Sequence, residues 1–177
     1  MTFDVSDTLA PKSDQLDAVE LLGSPRTFTI EKVSRNSDEQ PLNISLVGFP
    51  RYWRPGVSMR RVLASLWGTD AKKWVGKSVT LYCDERVKFG SETTGGTRIS
   101  HMTDIGDSPR KVPLQVSRGK FATFTVQPLS KVDALRAEWK SADPERRKVI
   151  EAEVESLTAP AADDVSVNDP ALDEVQP

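Results

Sequence analysis

The sequence predicts a mainly β domain with one central amphipathic helix, followed by a C-terminal helical segment and an acidic tail. Three observations support this. Apolar and polar residues alternate in several short stretches between residues 26 and 127, the period of half-buried strands. Residues 58–68 have helical periodicity instead. Residues 158–177 contain five acids, three prolines and no aromatic residue, so they cannot bury enough apolar surface to order themselves.

The alternating stretches place strands on both sides of the helix. Two precede it, at residues 26–33 and 42–46, and the others follow at residues 78–89, 97–102 and 121–127. Pro50 and Pro55 bound residues 49–54, which we interpret as an irregular loop.

The helix is the best-specified element. Ser58 is a suitable N-cap and Gly68 a suitable C-terminal residue for a left-handed conformation. The residues that share its apolar stripe are Met59, Val62, Leu63, Leu66 and Trp67. We expect Trp67 and also Trp74 to be buried in the core.

A short helix that interrupts a five-stranded meander is typical of small Greek-key barrels of the oligonucleotide-binding (OB) type. We therefore predict an OB-like β-barrel over residues 26–129. The helix of such barrels follows the third strand, whereas only two strands are evident before it here. Either residues 28–33 belong to a long bent strand shared by two sheets, or the fold is a variant.

The flanking regions differ from this domain. Residues 1–25 lack clear periodicity, and we predict a poorly ordered acidic segment. Residues 130–157 are predicted to be helical, with Ser130 and Asp133 spaced as a capping box and Asp143-Pro144 restarting the helix. Residues 158–177 are predicted to be a disordered acidic tail.

Charge is segregated along the chain although its net value is only −2. Residues 26–131 contain 18 Lys and Arg against 9 Asp and Glu, whereas residues 1–25 hold five acids and one base. A basic middle between acidic ends favours a polyanionic partner for the middle, although basic surfaces also keep small domains soluble. No apolar run approaches the roughly 18 residues of a membrane span, and the single Cys83 is typical of a reducing compartment. We expect a cytoplasmic protein without membrane contact.

Catalytic and metal-binding signatures are missing from the sequence. His101 is the only histidine, and no Ser or Cys lies in a recognisable nucleophile context. One Cys and one His cannot form a tetrahedral zinc site. We therefore expect neither enzymatic activity nor a cofactor or metal, unless a site converges only in the folded chain.

Basic residues interleaved with aromatic ones indicate a nucleic-acid interface, in which bases stack on rings and cations follow the backbone. The first such cluster is Arg51-Tyr52-Trp53-Arg54. The alternative is that Tyr52 and Trp53 cap the core instead. The candidate contacts are Arg51, Tyr52, Trp53, Arg54, Arg60, Arg61, Lys88 and Arg98.

Three motifs carry a family resemblance: SMRRVLASLWG at residues 58–68, WVGKSVTLY at 74–82 and GGTRISHM at 95–102. The chain resembles a family of small bacteriophage and prophage proteins, without a settled activity, associated with phage DNA-metabolism regions. It resembles more loosely the single-stranded-DNA-binding proteins, which combine a small β-barrel with an acidic tail. The tail of those proteins ends in acids and an apolar residue, whereas this chain ends Glu174-Val175-Gln176-Pro177.

Two functions follow as hypotheses. The first is a phage-encoded protein that binds single-stranded DNA without sequence preference in the host cytoplasm, alongside phage or host replication or recombination proteins. Its acidic ends would compete with nucleic acid for the basic face. The second is a protein-interaction module, a phage adaptor or host-factor inhibitor, that binds an acidic protein surface through hot-spot residues such as Tyr52, Trp53 and Arg54. Oligomeric state and preference for DNA or RNA stay open.

Overall fold

The computed structural model describes residues 6–9, 12–89, 91–93 and 95–160. Four helices are present: α1 (Ser6–Leu9), α2 (Val57–Trp67), α3 (Lys131–Trp139) and α4 (Pro144–Thr158). Short 3₁₀ turns occupy Ala18–Leu21 and Ala71–Trp74. The strands are β1 (Arg26–Arg35), β2 (Leu42–Leu46), β3 (Phe49–Trp53), β4 (Ser78–Asp84), β5 (Lys88–Phe89), β6 (Glu92–Thr93), β7 (Gly96–Met102), β8 (Arg110–Ser117) and β9 (Lys120–Pro128).

Seven strands form one mixed sheet in the order β3-β2-β1-β4-β7-β9-β8, and β5 pairs with β6 as a separate small hairpin. All neighbours in the large sheet are antiparallel except β7 and β9, which run parallel. The prediction of a mainly β fold with a central helix is confirmed. The predicted barrel is not formed as a closed structure: the seven-stranded sheet is open, with β3 and β8 as its edge strands.

The open sheet is nevertheless strongly curved. The indole Nε1 of Trp53, on β3, donates a hydrogen bond of 3.0 Å to Oγ1 of Thr97, on β7, four strands away in the sheet order. The concave face buries one core, to which β1, β2, β4, β7 and α2 all contribute. Helix α2 comes after three strands, as in an OB-type barrel, rather than after the two that the sequence indicated.

Two strands of the seven-stranded sheet, β3 and β8, are absent from the sequence prediction, and each contains a proline. Residues 49–54 were interpreted as a loop around Pro50, yet they include β3; Pro113 interrupts the alternation of β8. Proline cannot donate a ladder hydrogen bond and is therefore confined mostly to edge strands. Both strands lie at edges of the sheet, so each proline is tolerated there.

Helix α2 has the predicted stripe: Met59, Val62, Leu63 and Trp67 are buried, and Leu66 packs against them. Gly68 ends the helix with a positive φ of 86°, as expected, but its ψ of 171° lies outside the left-handed helical region. The N-cap is Gly56 rather than Ser58, because the helix begins at Val57, two residues earlier than predicted. Trp67 and Trp74 are both buried, as predicted.

The N-terminal segment was predicted to be poorly ordered, and for residues 14–21 this is wrong. Leu16 and Leu21 are 4% and 1% exposed and belong to the core. The backbone N–H of Leu16 donates to Tyr52 O (2.7 Å), and the N–H of Tyr52 donates to Asp14 O (3.0 Å). The segment therefore pairs with the edge of β3 through a single parallel bridge, between Gln15 and Tyr52, a contact that local periodicity does not encode.

Helix α3 lies against β1, and α4 packs against α3. Glu138 of α3 is buried, and its carboxylate accepts hydrogen bonds from Arg146 Nε (2.7 Å) and Thr29 Oγ1 (3.2 Å). Ser130 and Asp143 cap α3 and α4 as predicted. The predicted disordered tail falls almost wholly on residues 161–177, outside the described residues. No helix in the described ranges is long and apolar enough to cross a membrane.

Candidate nucleic-acid interface

A groove of about 780 Å³ lies where β3 ends and β7 begins. Its lining consists of residues 15–19, Gln40, Arg54, residues 56–59 at the start of α2, residues 87–88 and residues 95–98. Three of the predicted contacts, Arg54, Lys88 and Arg98, thus line one groove although they come from separate parts of the chain. We call this feature the basic groove.

A pair of glycines positions the loop that carries Lys88. Gly95 adopts a positive φ of 72°, which favours glycine, and its N–H donates to Val87 O (3.0 Å). A Cβ on Gly96 would lie 2.8 Å from Cγ1 of Val87, so only glycine allows this approach. The loop therefore folds back over the start of β7, which brings Lys88 to the groove.

The cluster at residues 51–54 divides between two faces because side chains alternate along β3. Tyr52 is exposed, with the guanidinium of Arg54 5.7 Å from its ring centroid. Trp53 is 0% exposed and bonded to Thr97. The prediction that bases stack on Trp53 is wrong, since its ring belongs to the core; this was the alternative left open for the cluster.

The two arginines of the same cluster are held by the N-terminal segment. Arg54 forms a bidentate pair with Asp14, at 2.6 Å for each contact, and its Nε donates to Asn43 Oδ1 (2.7 Å). Arg51 donates to Glu20 (2.5 Å) and to the backbone oxygen of Gln15 (2.9 Å). Their guanidinium groups are thus engaged by an acidic segment of the same chain.

These contacts fix the ionisation of the acids. Hydrogen bonding to Arg54 lowers the pKa of Asp14 below its usual range. The hydrogen bond from Arg51 likewise lowers the pKa of Glu20 against the opposing effect of burial. Both carboxylates are therefore charged at neutral pH, and a phosphate must displace them to reach either arginine.

The remaining basic residues that the sequence predicted as contacts differ from Arg51 and Arg54. Neither Lys88 nor Arg98 forms a salt bridge within the part of the chain that the structure describes. Arg60 and Arg61 do not line the groove. Arg61 is exposed, whereas Arg60 is half-buried and its Nε has no hydrogen-bond partner among the described residues.

The β8–β9 hairpin is a basic surface that the sequence prediction missed. Residues 108–132 contain Arg110, Lys111, Arg118, Lys120 and Lys131 and no acid. Phe121, beside the tip of the hairpin, is 68% exposed. Two sequence signals point to this hairpin: the stretch without acids, and the alternation of apolar and polar residues on both sides of Arg118-Gly119. Pro113 interrupts that alternation in β8, the first strand of the hairpin.

Within the described ranges, no three His, Cys, Asp or Glu side chains come together as metal ligands would. Comparison with known protein families, curated proteins and solved structures found no match to this chain.

Proposed function

We propose that this chain binds single-stranded nucleic acid, without marked sequence preference, at the basic groove. The observation that carries the proposal is the convergence of Arg54, Lys88 and Arg98 on one groove. Tyr52, exposed beside Arg54, offers a ring for one base. Lys88 and Arg98 meet phosphates directly, and Arg51 and Arg54 do so once Asp14 and Glu20 are displaced.

The topology supports this placement. The order β3-β2-β1-β4-β7, with α2 between the third and fourth strands, is compatible with an OB-type barrel that is open between β3 and β7. OB folds are partly open, and they bind oligonucleotides on the second and third strands and on the loops after the first and fourth. The corresponding parts here are β2, β3, residues 36–41 and residues 85–95. Gln40 and Lys88, from those two loops, both line the basic groove.

The biological setting remains part of the proposal. On the basis of the resemblance to small phage and prophage proteins, we propose that this binding serves phage DNA metabolism in the cytoplasm of the host cell. Phage or host replication or recombination proteins are the partners that such a role implies.

Titration with a fluorescent single-stranded oligonucleotide at several salt concentrations tests the proposal. Each phosphate contact on a single strand contributes about −0.7 to the slope of log K against log salt. The double variant Lys88→Gln, Arg98→Gln is therefore expected to flatten the slope by about 1.4.

Lys72→Gln, Lys73→Gln is the matched control, because it removes the same charge from an exposed turn outside the groove. Equal slopes for the two double variants would remove the groove from the proposal. Undetectable binding by the unaltered chain at low salt would refute nucleic-acid binding itself.

A second function is favoured by one observation, the docking of residues 14–20 themselves. This acidic, extended stretch pairs with the backbone of β3 at Tyr52 and places carboxylates on Arg51 and Arg54. Proteins that accept an added strand at a sheet edge often bind extended peptides in this way. The alternative function is thus a module that receives an acidic segment of another protein at the same edge.

Competition separates the two functions. If nucleic acid is the ligand, an oligonucleotide binds at low salt, and an acidic peptide with the sequence of residues 12–24 competes only weakly. If an acidic protein is the ligand, the chain binds no oligonucleotide. In that case a variant with its own acids neutralised (Asp14→Asn, Asp17→Asn, Glu20→Gln) captures the peptide.

A further inference from the structure

The outer half of the β8–β9 hairpin projects from the domain. Residues 115–123 are all exposed, on both faces of the hairpin, whereas Val112, Leu114 and Val126 near its base are buried. Phe121 and Val116 are large apolar side chains left in solvent there, at 68% and 64% exposure. Folding of the domain gives no reason for an exposed aromatic ring at this position.

The side chains of the projecting arm are complementary to a polyanion. Gln115 lies opposite Phe121, and Lys111 opposite Thr125, so these four share one face of the hairpin. Arg118 lies in the turn, and Lys120 follows it as the first residue of β9. None of Lys111, Arg118 and Lys120 has a salt-bridge partner among the described residues. A ring between unpaired cations, with no nearby acid in the sequence, is the arrangement that single strands use.

The arm points toward the end of the domain that holds the basic groove. β7 and β9 run parallel and are paired at His101–Gln127 and Met102–Pro128. Their first residues, Gly96 and Lys120, therefore lie toward the same end, and Gly96 lines the groove. Counting back from the paired residues, β9 extends for about 23 Å and β7 for about 17 Å. The tip of the hairpin thus reaches at least the level of the groove.

We propose that the β8–β9 hairpin is a second contact for the same single strand, with Phe121 stacking on a base and Lys111, Arg118 and Lys120 meeting phosphates. This inference rests on the proposed function and adds to it. A strand short enough for the groove does not reach the arm, whereas a longer one continues along its Lys111–Phe121 face. Affinity consequently depends on oligonucleotide length.

The test uses the full chain with fluorescent dT6 and dT20. Lys111→Gln, Arg118→Gln, Lys120→Gln is expected to flatten the salt slope for dT20 by about 2, and to leave dT6 binding close to that of the unaltered chain. The matched control, Lys72→Gln, Lys73→Gln, Lys148→Gln, removes the same charge from exposed sites on other elements. Phe121→Ala is expected to weaken dT20 binding about tenfold without changing the slope. Val116→Ala, an exposed apolar site on the same arm, leaves binding unchanged.

The outcomes separate this inference from the proposed function. If the unaltered chain binds dT20 and the hairpin and control triples behave alike, the arm is not a contact and the groove proposal stands. An equal loss for dT6 and dT20 would overturn the extended path. Absence of dT20 binding by the unaltered chain at low salt would overturn both.

Discussion

The cluster at residues 51–54, which contributes Arg54 to the basic groove, and the β8–β9 hairpin both carry cations and aromatic residues, but the cluster uses most of its own internally. In the cluster, Arg51 and Arg54 are paired with Glu20 and Asp14, and Trp53 is buried. On the hairpin, Phe121 is exposed, and the neighbouring basic residues have no salt-bridge partner within the described residues. A cluster of basic and aromatic residues in the sequence therefore does not by itself identify an interface, because the same residue types also stabilise the fold.

The largest difference between the two regions is expected in stability. Trp53→Ala removes a fully buried ring together with its hydrogen bond to Thr97, and is expected to lower the free energy of unfolding by about 3–5 kcal/mol. Phe121→Ala removes an exposed ring and is expected to leave that free energy nearly unchanged. Chemical denaturation followed by circular dichroism measures both. Similar losses in the two variants would contradict the assignment of one ring to the core and the other to a surface contact.

Neutralising the N-terminal acids should make the groove resemble the hairpin. Asp14→Asn, Asp17→Asn, Glu20→Gln retains Leu16 and Leu21 but frees Arg51 and Arg54. Two added phosphate contacts are expected to steepen the salt slope by about 1.4 and to tighten oligonucleotide binding about tenfold at 0.1 M salt. The control, Glu31→Gln, Glu145→Gln, Glu155→Gln, makes the same charge change away from both arginines. Equal tightening in the two triples would show a general charge effect.

A smaller effect is expected from pH. The pKa values of Asp14 and Glu20 are lowered in the folded chain by Arg54 and Arg51. Their contribution to docking is therefore complete above the usual carboxyl range, near pH 4, and is lost as the pH falls through the lowered values. Hydrogen-exchange protection factors of the Leu16 and Tyr52 amides should hold from pH 7 to 5 and decrease below about pH 4. Loss of protection already above pH 5 would contradict control by these two carboxylates.

The sequence predicted the elements that follow a simple period. The stripe of α2 and the alternation of β1, β2, β4 and β7 follow from burial on one face. The edge strands β3 and β8 were hidden by Pro50 and Pro113, which only an edge position accommodates. Docking of residues 14–20 depends on contacts with Arg51 and Arg54, which are more than thirty residues away in the sequence. Local sequence periodicity does not predict such contacts.

The same limit applies to the candidate site. Lys88 and Arg98 were identified from the sequence and do line the groove, since Gly95 and Gly96 fold their loop onto the start of β7. Period-two alternation along residues 49–53 separates Tyr52 from Trp53, but only if the segment is first recognised as a strand. The interpretation of residues 49–54 as a loop led to the wrong role for Trp53.

The central claim is that single-stranded nucleic acid lies in the basic groove and continues along the hairpin. Hydrogen–deuterium exchange of the full chain, with and without saturating dT20 at low salt, tests it most directly. The account predicts slower exchange in residues 85–98 and 110–125 on binding, with no change in α4 (Pro144–Thr158). Unchanged exchange in the first two stretches, or protection confined to α4, would contradict it.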